Sequence, residues 1–519
     1  MQMKKIISIL LCVALLGSLL AGCSVNNDPV AYEPTGNGLE DYQEAVLDAE
    51  EEESTQSFSL AYYEEASMNP LIADDFTNRV IISLLYQGLF AVTRENEVQP
   101  ILCKNYTASA DLLTYEFTID PLATYSDGVP VTAEDVVASL NTAKNNKYYG
   151  GRLRYVSDIA VTETGAVRIR LTQAYGNLPL LLDIPIVKAS QVEYDNPLGT
   201  GPYQLSGWGR ERFLVRRESW WCRSENLQVT AKKIPLVSAD SATTIRDAFE
   251  FYDVGVVCTD PGSDKYVEYR CDYELWECET GIFLYLGVNA NSSAFQNQAV
   301  RQALTKGIDR DYLIDKYYRG FAVGAELPAS PNSPYYTEPL AQHYAYDQAE
   351  FQNAMSSMKG RPIILVVNST DSLRVRVAQE IGRMLNACGM LVEVKQYSGV
   401  NYAAILREGS YDLYLGQTKL SANMDLTPFF SANGALNYGG IDDIGVYTLC
   451  LQALENQGNY YSLHQKVMED GYLCPILFRS YAVYAARGLL TDLQPARDNV
   501  FCYSIGKTLE DAYVVQGMQ

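Results

Sequence analysis

Residues 361–415 constrain the fold more than any other stretch. Residues 363–367 form an apolar run of strand length, 371–387 carry a helical period closed by Gly389, and 391–394 read as a second strand. A helix is predicted near 401–407 and a third strand over 411–415. Strand–helix–strand units need right-handed crossovers and build a largely parallel sheet. At 519 residues the chain exceeds one core, so this α/β unit is expected beside at least one other lobe.

The earlier part of the chain mixes strands and helices. Phe58, Leu60 and Tyr62 alternate as a strand that Met68-Asn69-Pro70-Leu71 breaks. A helix should follow, capped by Asp74 or Asp75, with Phe76, Val80 and Leu84 on its period and Gly88 in the place of a left-handed C-terminal residue. Thr132 and Asp135 are spaced as a capping box, with Val131 and Val136 as a staple. Strands are predicted at 113–119, 167–171, 213–216 and 253–257, with a helix over 241–249. Gly199-Thr200-Gly201-Pro202-Tyr203 reads as a turn whose glycines tolerate positive φ.

Charge and composition remove several function classes. A net charge of −23 repels a phosphate backbone, so no nucleic-acid partner is expected. With two histidines, His343 and His464, there is no HExxH zinc site and direct metal ligation is weakly supported. No GxSxG elbow occurs, and Ser504-Ile505-Gly506-Lys507-Thr508 has Phe501 where a phosphate loop needs its leading glycine. Asp74-Asp75 and Asp442-Asp443 read as helix starts. No catalytic residue, metal site or cofactor is expected.

The amino-terminal end reads as an address. Lys4 and Lys5 precede an apolar run over 6–20, too short for a comfortable membrane span. Leu20-Ala21-Gly22-Cys23 resembles the lipobox of bacterial lipoproteins, which implies cleavage before Cys23 and lipid attachment to it. Residues 24–57 hold ten carboxylates and no Lys or Arg, so 23–57 read as an extended acidic tether. Nine of the eleven cysteines then remain, with no CxxC, and Cys271 and Cys278 lie about 23 Å apart along one strand. Buried free thiols are expected.

Four motifs in order carry a resemblance. Tyr125-Ser126-Asp127-Gly128-Val129-Pro130-Val131-Thr132-Ala133-Glu134-Asp135-Val136-Val137 is similar to the FSDGxPxTAxDV stretch of family 5 extracellular solute-binding proteins, the oligopeptide, dipeptide and nickel receptors of ABC importers. Residues 199–203 resemble that family's GTGPY turn, and Leu286-Gly287-Val288-Asn289, Val300-Arg301-Gln302-Ala303-Leu304 and Gly307-Ile308-Asp309-Arg310 resemble its following segment. The resemblance implies a two-lobed α/β fold of the periplasmic-binding-protein type (type II, family 5 class), with mixed sheets and a hinge cleft. The implied organisation is a signal peptide over 1–22, lobe I over 58–285 with an inserted subdomain at about 74–197, lobe II over 286–475, and a return to lobe I over 476–519.

By position in the family, the resemblance places Asn69, Tyr86, Tyr285, Thr418, Lys419, Asn423, Asp425, Phe478 and Arg479 near the ligand. Members that resemble the oligopeptide receptor carry Trp and Asp after the strand that ends lobe II's parallel run; here that stretch has Lys419 instead of Trp, and Asp425 is its acid. The function implied is that of a monomeric lipid-anchored receptor for a small solute, a peptide or peptide-like molecule, with ABC permease and ATPase subunits as partners. A nickel chelate, haem or oligosaccharide is the alternative cargo. A surface hydrolase or adhesion lipoprotein is the alternative class.

Overall fold

The computed structural model describes residues 58–501, except 74, 223–230, 491, 492 and 498, together with 513–515. The export signal, Cys23 and the tether fall outside the described residues, as does the 504–508 stretch.

The strand–helix pattern of residues 361–415 is present. Pro362–Asn368 pairs in parallel with Leu391–Tyr397 on one side and Leu413–Lys419 on the other, with helices Ser372–Ala387 and Gly399–Glu408 as the crossovers. Asp371 caps the first helix by accepting from the Arg374 amide, and Gly389, at φ 94°, turns the chain after it. The central strand is a continuous apolar run because both faces are covered. Val366 joins one hydrophobic core, while Leu365 and Val367 join a second.

The third strand extends to Lys419, four residues beyond the sequence expectation. Residues 282–288 pair antiparallel with it, placing Thr418 opposite Phe283 and Lys419 opposite Ile282. Two long antiparallel strands, Tyr273–Val288 and Leu473–Ala486, connect this region to the first half of the chain. Across the eleven-stranded sheet the order is Leu391–Tyr397, Pro362–Asn368, Leu413–Lys419, Tyr273–Val288, Leu473–Ala486, Val256–Thr259, Leu60–Tyr63, Lys233–Ala239, Phe213–Arg216 and Tyr203–Ser206; Ala322–Gly324 pairs with Leu473–Ala486 off this path. Alternation along the two long strands sends Phe283, Tyr285 and Phe478 into the larger core and Leu284, Leu286 and Leu477 into the second.

A separate five-stranded sheet takes four strands from the first half of the chain and one from its last residues, in the order Tyr513–Val515, Cys103–Ala108, Thr114–Ile119, Val167–Leu171 and Val156–Val161. The helix Ala133–Lys144 carries the expected capping box: the Asp135 amide donates to Thr132 Oγ1 at 3.3 Å, and the Thr132 amide donates to Asp135 Oδ2 at 3.0 Å. Val131 and Val136 are both buried in the larger core. That core continues into the helix Ile444–Glu455, so the two halves touch, and the Gly176 amide donates to Leu454 O at 3.0 Å. Of the eight described cysteines, seven are buried and Cys271 is half-buried.

Two glycine expectations need correction. The helix Phe76–Leu85 is capped by Asp75 and ends at Tyr86 in extended backbone, and Gly88 is not left-handed. Gly88 bridges Pro185, and a Cβ there would lie 3.0 Å from Asp183 C, Ile184 O and Phe90 O. Gly199 and Gly201 also lack positive φ. A Cβ on Gly199 would sit 1.9 Å from Leu85 O and one on Gly201 2.4 Å from Leu84 O. The constraint is the close approach of this turn to the end of the helix, where the Gly201 amide donates to Leu85 O at 2.9 Å.

Candidate functional site

The helix Phe76–Leu85 sets Arg79, Ser83 and Tyr86 on one stripe by their spacing of four and three residues. With Ile82 they form one wall of a cavity that is partly open to solvent. Phe90, Ala91 and Val92, then Tyr148, Tyr149 and Arg152, then Asp183 and Arg497 supply the remaining walls. The mixture of aromatic rings with a few charged groups is typical of small-molecule sites.

Cations and rings are interleaved. The buried Arg79 guanidinium lies 3.7 Å over the Tyr148 ring, and its Nη1 donates to Tyr149 Oη at 3.2 Å. Arg152 pairs with Asp183 and stands 5.2 Å over the Tyr149 ring. Stacking on a ring face holds a guanidinium in place while its charge persists. Tyr86 donates to Pro197 O at 2.7 Å, and burial pushes its hydroxyl far above the ordinary tyrosine range, so it remains a donor. Trp221 Nε1 donates to Gln87 Oε1 at 3.2 Å and so fixes the orientation of an amide whose buried Nε2 has no partner among the described residues. Arg497 packs on Gly281, where a Cβ would meet its Nη2 at 2.0 Å, and it also lines a smaller neighbouring cavity with Glu279, Ser330 and Met424.

The second half of the chain reaches this region at three points. Lys419 Nζ lies 3.0 Å from Tyr148 Oη and 4.2 Å over its ring. Arg154 faces Asp425 at 3.5 Å, and Tyr155 Oη and Thr427 Oγ1 are hydrogen-bonded at 2.5 Å. Tyr148 thus carries a cation from each half of the chain.

Of the nine residues expected near a ligand, Tyr86 is in the wall and Lys419 touches it. Asp425 is buried and faces Arg154, and its Oδ1 accepts from the Thr427 amide and hydroxyl at 2.8 and 2.7 Å. Thr418 is a half-buried strand residue outside the wall. Asn423 is buried, with its Oδ1 unpartnered among the described residues and its backbone oxygen accepting from Tyr460. The other four stand elsewhere. Asn69 is fully buried and bonds the backbone: Nδ2 donates to Val192 O at 2.9 Å and Tyr194 O at 2.7 Å, and Oδ1 accepts from the Leu71 amide at 2.9 Å. Tyr285 is core, packed on Phe283, Tyr414 and Phe429, and Phe478 stacks on Phe283 at 4.9 Å. Arg479 is buried against Asp260, with Nη2 2.7 Å from both carboxylate oxygens.

Sequence reasoning missed Arg79, Tyr148, Tyr149, Arg152 and Arg497. The first had a signal: Arg79 lies seven residues before Tyr86 on the same helical stripe. Among the described residues no group of three or more His, Cys, Asp or Glu side chains could hold a metal ion, and no helix is long and apolar enough to cross a membrane.

Residues 97–438 match the model of the bacterial extracellular solute-binding proteins, family 5 middle. The glutathione-binding protein GsiB of Salmonella typhi is 25% identical over 298 residues, covering 55% of this chain and 57% of that protein. GsiB of Escherichia coli O157:H7 is 23% identical over 312 residues, covering 56% and 60%. The chain therefore spans less than two thirds of the length of these curated relatives. The substrate-binding protein CtaP of Listeria monocytogenes superposes with a TM-score of 0.69 at 18% identity, over 88% of this chain and 99% of that one. NikA of Brucella suis in complex with Fe(III)-EDTA superposes at 0.64 and 19% identity, over 85% and 98%. These superpositions establish the two-lobed periplasmic-binding-protein architecture.

Proposed function

The chain belongs to the bacterial extracellular solute-binding proteins, family 5, and from that premise we propose that it is the lipid-anchored receptor of an ABC importer, which holds a peptide or peptide-like solute and delivers it to the permease. Cys23 carries the lipid and residues 23–57 are the tether. Residues 58–285 and 476–519 make lobe I, with a subdomain at about 74–197, and 286–475 make lobe II. It acts as a monomer without catalysis, and ATP hydrolysis belongs to partner subunits.

One observation carries this reading: Tyr148, in the wall of the arginine- and tyrosine-lined cavity of lobe I, is met by Lys419 of lobe II. A solute in that cavity acts on the lobe contact itself. Only a solute with higher affinity for the closed arrangement shifts the population towards it. Two relatives are named for glutathione, a tripeptide, which supports a peptide-like cargo.

A metal chelate is the second reading. NikA is named as a complex with Fe(III)-EDTA, whose carboxylates are the kind of group that Arg79, Arg152 and Arg497 would hold without any protein ligand to the metal. Native mass spectrometry of the chain produced without its export signal, followed by a thermal-shift screen of peptides and chelates, separates the two. A co-purifying mass of a few hundred daltons that fragments as a peptide supports the first reading. Turnover of any stabilising compound contradicts both.

A further inference from the structure

We infer that Arg154, Tyr155 and Gly176 of the first half, with Asp425, Thr427 and Leu454 of the second, form a latch that favours the closed arrangement of the two halves independently of the solute. This rests on the solute-receptor reading of the preceding section. It assigns these residues to closure and none of them to the solute, although Asp425 stands where family position expects a ligand group.

The first observation is that one carboxylate gathers two consecutive residues of the opposite half. Arg154 meets Asp425 Oδ2 at 3.5 Å. Tyr155 reaches the other oxygen through Thr427. The Thr427 hydroxyl donates to Asp425 Oδ1 at 2.7 Å, and a hydroxyl carries one proton, so the phenol is the donor in the bond between Tyr155 Oη and Thr427 Oγ1. Burial raises the Tyr155 hydroxyl above the ordinary tyrosine range, which keeps that proton in place. The Thr427 amide also donates to Oδ1 at 2.8 Å, so the second half holds carboxylate and hydroxyl in position with its own backbone. Acceptors fixed in this way bond across a seam with little further ordering.

The second observation is steric. The Gly176 amide donates to Leu454 O at 3.0 Å, a backbone bond between the halves, and a Cβ on Gly176 would stand 2.4 Å from Glu455 O. Within its own half that Cβ would meet Leu112 Cδ1 at 3.9 Å, an ordinary contact, and Gly176 is not left-handed. The missing side chain therefore answers the approach of the second half and not the turn it sits in. A solute that binds the closed arrangement has an apparent affinity proportional to the closed fraction, so the latch strengthens every such solute alike.

The test uses Gly176→Ala, Tyr155→Phe and their combination in the chain produced without its export signal, with melting temperature recorded to verify folding. Small-angle scattering without solute reads closure. Calorimetric titration with glutathione and with Fe(III)-EDTA reads affinity. From evenly populated open and closed forms, a fivefold loss in the closing constant, about what one hydrogen bond or a modest clash removes, leaves about one molecule in six closed. Each single variant should therefore bind about threefold more weakly and the double variant about tenfold or more, by the same factor for each probe that the parent binds, and the radius of gyration without solute should rise. Tyr155→Phe carries the test alone if Gly176→Ala does not fold. Unchanged radius and affinity in every folded variant overturn the latch and leave the receptor reading standing. Weakening confined to one of two bound probes also overturns it, because the altered group then touches that solute. If the parent binds neither probe, the receptor reading fails for both classes, while a rise in radius still upholds the latch and an unchanged radius overturns it.

Discussion

Replacing Asp260 by alanine strands the guanidinium of Arg479, and the cost can be worked from the surroundings of the pair. The Arg479 side chain is 8% exposed, and its Nη2 sits 2.7 Å from both Asp260 oxygens; its further partner, Gln417 Oε1 at 3.4 Å, is neutral. Burial disfavours the charged guanidinium, but the Asp260 carboxylate outweighs it, so the group is held above its ordinary range. Breaking a buried pair by removing one member costs about 3–5 kcal/mol. Asp260 is 27% exposed, so water replaces part of what is lost, and about 2–3 kcal/mol is the expected loss. At about 2 °C per kcal/mol for a large cooperative unit, the melting temperature should fall by about 5 °C in scanning calorimetry at pH 7. Asp260→Leu with Arg479→Met removes both charges and should recover most of that fall, while leaving solute affinity within about twofold of the parent. A fall below 1 °C, or a double variant less stable than Asp260→Ala, would refute the reasoning. Arg479 would then be restored as a candidate ligand anchor.

His464 is fully buried with neither ring nitrogen bonded among the described residues, and burial pulls its pKa down from 6.5 to about 3. Its contribution to stability is therefore complete above pH 6.5 and lost as pH falls towards 3, at about 1.4 kcal/mol per unit; His464→Leu should remove about 2 kcal/mol of the loss between pH 6.5 and 5, read from urea denaturation at both pH values. Gly199→Ala, whose Cβ would meet Leu85 O at 1.9 Å, should cost upwards of about 3 kcal/mol, whereas Gly165→Ala, at φ +79° in open space, should cost about 1 kcal/mol, both by chemical denaturation. Lys419→Met removes the second cation from Tyr148 and should weaken binding of the best-stabilising peptide three- to fivefold with less than 1 °C change in melting temperature, by titration and calorimetry.

The fold was legible where local signals agreed with tertiary demands. The parallel unit of residues 362–419 follows from an apolar strand covered on both faces, and the Thr132–Asp135 box from a cap that closes within one turn. The glycines at 88, 199 and 201 misled because sequence reports the absence of a Cβ but not whether φ or a neighbouring backbone requires it. The candidate site was less legible. Tyr86 and Lys419 came from family position, yet Asn69, Tyr285, Phe478 and Arg479, inferred in the same way, are spent on backbone, core and an ion pair. Arg497 reaches the wall from the far end of the chain, a proximity that depends on how the long strand Leu473–Ala486 returns across the sheet. No local pattern encodes that.

The claim on which the account rests is that one solute is held by both halves of the chain. Hydrogen–deuterium exchange with and without a saturating amount of the most stabilising tripeptide tests it directly. The account predicts simultaneous protection of residues 148–155 and 415–427, where the halves meet at Tyr148, Arg154 and Tyr155. Protection confined to one of these segments, with the other exchanging as it does without peptide, would contradict it.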